Sequence, residues 1–186
     1  IQFNGIQFYV DERVYTPTRE TEQLIKEVSH HIEVSNIAGY ILDLGTGSGA
    51  IGLSLAKMYP EHTVLGVDIS SDALEVAAIN ATRLSRPNFK MFVSDLLEDI
   101  DEEPSVIIAD LPWGSAELLL DSNEKIAREP AIAWFPKEGG PMGIYKKVFT
   151  QLQKKGWHSP MYFESGCMPT KMVLEAVPRA FEVEYF

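Results

Sequence analysis

Four consecutive residues, Asp110-Leu111-Pro112-Trp113, join a hydrogen-bond acceptor, a rigid proline and a flat aromatic ring. They follow the apolar run Val106-Ile107-Ile108-Ala109, which reads as a buried strand. Parallel-sheet proteins hold their ligands just past the C-terminal ends of such strands. A turn of this composition could grip a planar amino group. Asp110 would accept from one N–H and the backbone carbonyl of Leu111 from the other, which favours a pyramidal nitrogen with a localised lone pair. Pro112 stiffens the turn, and Trp113 can stack on a flat target. The chemistry this suits is transfer of a group onto a nitrogen whose lone pair is otherwise delocalised, with positioning doing most of the work. A plain turn with a core tryptophan is the simpler alternative.

The reagent would be held upstream, at Asp43-Leu44-Gly45-Thr46-Gly47-Ser48-Gly49. Glycines let a strand turn tightly and let backbone approach a ligand, and the helix beyond offers free N–H groups. Asp68 ends the next strand, 19 positions after Gly49. A carboxylate there can accept both hydroxyls of a ribose; helix capping is its competing role, for which Ser70 and Ser71 are better placed. Asp95, in Ser94-Asp95-Leu96, could accept from an adenine amino group while Leu96 packs on the ring; capping or solvation is the alternative. These features suit NAD and S-adenosylmethionine alike. A dinucleotide enzyme has no use for Asp110-Leu111-Pro112-Trp113, and no catalytic Tyr-Lys or His pair stands out. Methyl transfer to an amino group does need such a motif.

Alternating elements must position these turns. Strands are expected over 40–44, 63–67, 88–93, 106–109 and 161–164, and helices over 50–58, 72–84, 143–154 and 170–176. The alternation predicts an α/β domain with a mostly parallel sheet and helices on both faces. Before it, Ile6-Gln7-Phe8-Tyr9-Val10 and Arg13-Val14-Tyr15 read as a small hairpin turning at Asp11-Glu12. A helix follows over 20–34, with Leu24, Ile25, Val28 and Ile32 on one stripe, and Gly39 closes that unit. Residues 1–38 are expected to pack on a single compact unit formed by 39–186. The irregular stretch 114–141 reads as a lid or binding element, and 181–186 as a final strand. Trp134 and Phe135 read as core packing, with lining of the substrate side as the alternative.

Composition narrows the function. The chain has 186 residues, 45% of them hydrophobic, enough for one sizeable core. The formal net charge of -11 disfavours a broad phosphate-binding surface. Arg83, Arg86 and Lys90, and Lys146, Lys147, Lys154 and Lys155, read as solvated helix faces. No apolar stretch is long enough to span a membrane, and no leader is apparent. The single cysteine, Cys167, excludes an internal disulfide and a multi-cysteine metal site; without an evident base beside it, it is not expected to be a nucleophile. No metal-ligand spacing appears. His30 and His31 read as structural. A reducing, cytoplasmic setting is expected.

At these residues the chain resembles the HemK-type protein-(glutamine N5) methyltransferases, nearly end to end. Phe3-Asn4-Gly5-Ile6-Gln7-Phe8 is similar to the family's opening hairpin, and Pro17-Thr18-Arg19-Glu20-Thr21-Glu22 to its Pro-Arg-Pro-Glu-Thr-Glu signature, with Thr18 and Arg19 departing. The glycine turn matches the family's cofactor loop, and Asp68-Ile69-Ser70 its ribose-binding turn. Glu129-Pro130, Ala133, Gly139-Gly140 and Gly143-Ile144-Tyr145 resemble the stretch before its fifth strand, and Phe163-Glu164-Ser165-Gly166 its Glu-Ile-Gly strand end. The resemblance implies a Rossmann-like class I methyltransferase fold. It implies S-adenosylmethionine as cofactor, held by Asp43, Gly45, Thr46, Gly47, Ser48, Gly49, Asp68 and Ile69, with Asp95 and Leu96 joining them on the reading above. It also implies catalytic roles for Asp110, Leu111, Pro112 and Trp113, and a protein glutamine in a peptide-chain release factor as methyl acceptor.

Two departures bear on that reading. The family's Asn-Pro-Pro-Tyr is here Asp-Leu-Pro-Trp, and an ionised Asp only accepts hydrogen bonds where Asn also donates. The family's N-terminal helical domain has no counterpart in the stretch of resemblance, which covers the catalytic domain. The Asp substitution keeps open a nucleic-acid amino group as acceptor, which the acidic charge opposes. A non-catalytic partner subunit and an NAD-dependent dehydrogenase are the remaining alternatives, and oligomeric state stays open.

Overall fold

The structure is a computed structural model that describes residues 1–113, 129–135, 140, 142–166 and 168–184. It opens on a hairpin of β1 (Gln2–Phe3) and β2 (Ile6–Gln7), paired antiparallel. The turn is Asn4-Gly5, with φ of 46° and 68°, a pair of left-handed residues that suits the twist of a tight hairpin. The expected hairpin is therefore corrected in its position: its strands flank Asn4-Gly5, not Asp11-Glu12. That stretch is instead a local knot: Asp11 Oδ1 accepts from Arg13 N at 3.1 Å, and Asp11 O from Val14 N at 3.2 Å, so the aspartate side chain organises a turn rather than a strand end.

Helix α1 (Arg19–Ser35) buries Leu24, Ile25, Val28 and Ile32, the expected stripe. Burying four such side chains contributes roughly 6–12 kcal/mol before entropy is counted. It runs one residue beyond the expected end at Val34 and is capped by Asn36, left-handed at φ 47°. Gly39 instead lies against Ser105, whose Oγ accepts from its N–H at 2.8 Å.

Strands and helices then alternate as expected: β3 (Ile41–Leu44), α2 (Ala50–Met58), β4 (Val64–Asp68), α3 (Ser71–Leu84), β5 (Phe89–Val93), β6 (Val106–Ala109), α4 (Gly143–Lys155), β7 (Met161–Phe163) and α5 (Thr170–Ala176). The five strands form one parallel sheet in the order β5-β4-β3-β6-β7. Chain order reverses at β3, where neighbours run outward to β4 on one side and to β6 on the other. Helices leave a crevice at such a switch point.

Alternation along the strands separates two cores. Ile41, Val106 and Ile108 pack with the hairpin, α1 and α2 on one face. Leu42, Leu44, Ile107 and Ala109 pack with Tyr145, Val148, Phe149 and Leu152 of α4 on the other. The final strand expected over 181–186 does not form over 181–184, and 185–186 lie outside the described residues. Phe181 is committed elsewhere: its N–H bonds Pro178 O at 3.0 Å and its ring lies 6.0 Å from that of Phe149. Most of the irregular stretch 114–141, and Cys167, also lie outside the described residues.

Candidate active site

Strand register sets the site. Leu44 pairs with Val67 on β4 and with Ala109 on β6. The residues that follow, Gly45 and Asp110, therefore leave the same sheet edge side by side, with Asp68 beside them. They line one open cleft, together with Gly47, Ile69, Asp95, Leu96, Leu111, Pro112 and Trp113. The two loops touch: a Cβ placed on Gly45, whose φ is 76°, would sit 2.6 Å from Leu111 Cδ2. Glycine is needed there both for the backbone angle and for the approach.

Ten of the fourteen expected site residues thus line the cleft. Asp43, Thr46, Ser48 and Gly49 lie beneath it and shape the loop. Asp43 is fully buried; its Oδ2 accepts from Thr46 Oγ1 at 2.6 Å and from Gly52 N at 2.9 Å. Burial outweighs those bonds, and the charges of Asp68 and Asp110 add to it, pushing its pKa up to about 7. Its carboxylate takes an N–H in the first turn of α2, the place where a dinucleotide's pyrophosphate would bind. Asp68 accepts from Gly47 N and Ser70 N, each at 2.9 Å, and burial raises its pKa. Ser70 caps α3 through Ala73 N at 3.2 Å, as its spacing implied, so Asp68 is spared that duty. Asp95 is paired with Lys147, one of the lysines expected to be merely solvated.

Each of the five strands carries an acid at or just beyond its C-terminal end: Asp43, Asp68, Asp95, Asp110 and Glu164. Arg13 lines the cleft too, but Asp11 holds it at 2.7 Å and Glu75 at 2.8 Å. Burial raises the pKa of Asp43 to about 7 and that of Glu164 to about 8, and Lys147 pairs with Asp95, so only part of this acid row is a net negative charge near neutrality.

Around Asp110 the structure assembles residues that spacing alone did not single out. Thr21 Oγ1 of α1 donates to Asp110 Oδ2 at 2.7 Å and accepts from Thr18 N at 3.2 Å. Tyr145 Oη lies 2.6 Å from Glu164 O, to which it donates, and accepts from Leu111 N at 3.2 Å. Burial and the nearby acids keep this phenol un-ionised. Burial, and then the nearby charge of Asp110, push the pKa of Glu164 up to about 8. Thr21, Tyr145 and Glu164 all fell within the stretches of family resemblance; that was the one signal available for them.

The far wall comes from the N-terminal segment and residues 130–134. Asn80 clamps Tyr9, accepting its N–H at 2.8 Å and donating to its carbonyl at 2.9 Å, and also donates to Ser48 O at 2.9 Å. This hangs Arg13, Val14 and Tyr15 over the cleft. For Trp134 the alternative to core packing holds: it lines the cleft, its ring 5.1 Å from Tyr15 and its Nε1 donating to Glu129 at 3.0 Å. Its indole N–H needs a partner, and the half-open site supplies one. Trp113 rests on Gly166, where a Cβ would fall 2.1 Å from Trp113 Cε2.

A protein-family model described as a methyltransferase domain matches residues 37–156. The chain belongs to the methyltransferase domain family. Release factor glutamine methyltransferases are similar to it. That of Lactococcus lactis is 35% identical over 151 residues, 81% of this chain and 54% of the relative. That of Streptococcus pneumoniae is 37% identical over 152 residues, 78% and 51%, and that of Flavobacterium psychrophilum 32% over 170 residues, 88% and 59%. The chain spans little more than half the length of these curated relatives. Among solved structures, the hMettl16 catalytic domain in complex with MAT2A 3′UTR hairpin 1 is similar with a TM-score of 0.63 over 82% of this chain and 58% of that chain, at 14% identity; this likeness is one of fold. Among the described residues no helix is long and apolar enough to cross a membrane, and no cluster suits a metal ion.

Proposed function

We propose that this chain binds S-adenosylmethionine in the cleft and methylates a planar nitrogen held at Asp110, the side-chain amide of a glutamine in a release factor. The observation that carries the reading is the meeting of the glycine loop with the Asp110 turn at a sheet edge studded with acids. The relatives named above support the choice of acceptor.

Asp68 would accept from the ribose hydroxyls, Ile69 and Leu96 would flank the base, and Asp95 would accept from the adenine amino group. Asp43, Thr46, Ser48 and Gly49 would hold the loop that carries Gly45 and Gly47 against the ligand. When bound, S-adenosylmethionine supplies an electrophilic methyl group and departs as a neutral thioether. Asp110 and the Leu111 carbonyl would accept the two N–H groups of the target, Pro112 keep their spacing, and Trp113 cover its face. Asp110 is also the base available for the proton that the nitrogen sheds as its bond to carbon forms.

Calorimetry with S-adenosylmethionine and NAD tests the cofactor: binding of NAD alone would overturn the reading. Transfer of labelled methyl to release factor, rather than to ribosomal protein, RNA or DNA, tests the acceptor. Asp110 in place of Asn favours a second reading, a nucleic-acid amino group, which labelling of RNA or DNA alone would select.

A further inference from the structure

The far wall of the cleft is tied together by one carboxylate. Glu129 Oε1 accepts from Thr16 N and Glu129 Oε2 from Trp134 Nε1, each at 3.0 Å. The tie joins the segment entering α1 to a segment 113 positions further along the chain. Two other contacts fix Trp134. Its backbone closes the short 3₁₀ turn Ala131–Ala133, donating to Ala131 O at 3.1 Å. Its ring meets Tyr15 edge to face, at 5.1 Å and 75°. An indole has a single donor, and here Glu129 takes it. What the ring offers the cleft is therefore its shape and its π face. Tyr15 sets the place of the pair. Shortly after it in the chain, Thr21 donates to Asp110 Oδ2 at 2.7 Å, and the charge of Asp110 acts on the Tyr15 phenol. Tyr15 and Trp134 thus stand at the Asp110 end of the cleft, which Trp113 also lines. Among the described lining residues the only base is Arg13, which Asp11 and Glu75 hold.

We propose that Trp134 is a specificity-determining residue for the methyl acceptor, an aromatic wall that with Trp113 confines a small planar amide, and that Glu129 is the positioning residue that sets its ring. The scheme rests on the methyl transfer proposed above and adds what selects the acceptor. A glutamine amide is small, neutral and carried on a flexible stem. Flat rings at the walls of the cleft limit its tumbling and displace water from its faces, so its nitrogen spends more time in line with the methyl group. A phosphate-bearing acceptor meets on these walls only a guanidinium already paired with two acids. Loss of the Glu129 tie frees the indole and the Thr16 backbone together, and the wall loses its fixed spacing from Asp110.

Fluorine NMR of protein carrying 5-fluorotryptophan reads the wall without turnover, with Trp134→Phe identifying the Trp134 signal. Glu129→Gln puts one carbonyl oxygen where two oxygens each held an N–H. It should move the Trp134 signal and leave that of Trp157, which packs in the core beneath α4, in place; an unmoved Trp134 signal overturns the positioning role. A glutamine peptide added with S-adenosylhomocysteine should shift the Trp134 signal of wild type, and no shift overturns the acceptor wall. In methyl transfer, Trp134→Ala should raise the KM for that peptide by about tenfold with the KM for S-adenosylmethionine unchanged. Trp134→Phe, which keeps a flat ring, should restore most of that loss. Equal rises in both KM values, or none, with circular dichroism showing the variants folded, overturn the specificity role. If wild type transfers no methyl group to any peptide, the activity proposed above fails, and the fluorine signals still decide whether Glu129 sets the ring.

Discussion

Replacing Asp43 by Asn should stabilise the protein at alkaline pH and flatten its pH dependence. Asp43 is 0% exposed, with one oxygen bonded to Thr46 and Gly52 and the other lacking a hydrogen-bond partner among the described residues. Folding raises its pKa from 3.8 to about 7. The folded chain then holds that proton roughly a thousandfold more tightly than the unfolded one, worth about 4 kcal/mol. Because the pKa is raised, this stability is full below about pH 4 and is lost as pH climbs to about 7, when the group must ionise inside the fold. Between pH 5 and pH 8 the wild type should lose about 2–3 kcal/mol from this one group. Asp43→Asn keeps an acceptor oxygen for Thr46 and Gly52 and does not titrate, so it should be spared that loss. Urea unfolding followed by far-UV circular dichroism at steps across this range measures it. Glu164 titrates in both proteins, so the difference between the two curves isolates Asp43. Parallel curves would refute the reasoning. A charge this costly at the floor of a cleft is consistent with a cationic ligand above it, which would recover part of the cost.

Asp68→Ala should weaken S-adenosylmethionine binding by about ten- to a hundredfold, the loss of a charge-assisted hydrogen bond; unchanged calorimetric affinity would remove Asp68 from the cofactor site. Gly166→Ala drives a methyl group into the Trp113 ring at a residue whose φ is 57°. It should cost about 1–3 kcal/mol and alter tryptophan fluorescence, and an unshifted spectrum would mean that Trp113 does not rest there. Tyr145→Phe strips the hydroxyl that joins Leu111 N to Glu164 O and leaves a buried N–H unpaired. The expected loss is about 1–3 kcal/mol in chemical unfolding, and neutrality would show that the Asp110 turn holds without this tie.

Much of the fold was legible because its signals are local. Strand and helix positions from 40 to 176 follow from apolar runs, stripes and glycine or proline stops, and they agree with the structure to within a residue or two at each end. The failures have local competitors. The run before Asp11 looks like a strand, yet Asn4-Gly5 turns earlier, and Asp11 uses its side chain to make a turn of its own. Phe181 belongs to an alternating run, yet it packs against Phe149 instead of joining a ladder. Trp134 reads as core by hydrophobicity, but its ring also carries a donor, which Glu129 satisfies at the cleft wall.

By itself the sequence determined the order of elements, the glycine turn, the acid ending β4 and the Asp110 motif. Each of these is a short string whose backbone geometry and chemistry depend on near neighbours. Tertiary structure alone decided that Thr21, Tyr145 and Glu164 gather around Asp110 and that Asp43 sits dry beneath the loop. Such meetings depend on the register between β3, β6 and β7 and on which face α1 and α4 cover. Those are settled by packing among residues far apart in the chain, and no local pattern encodes them.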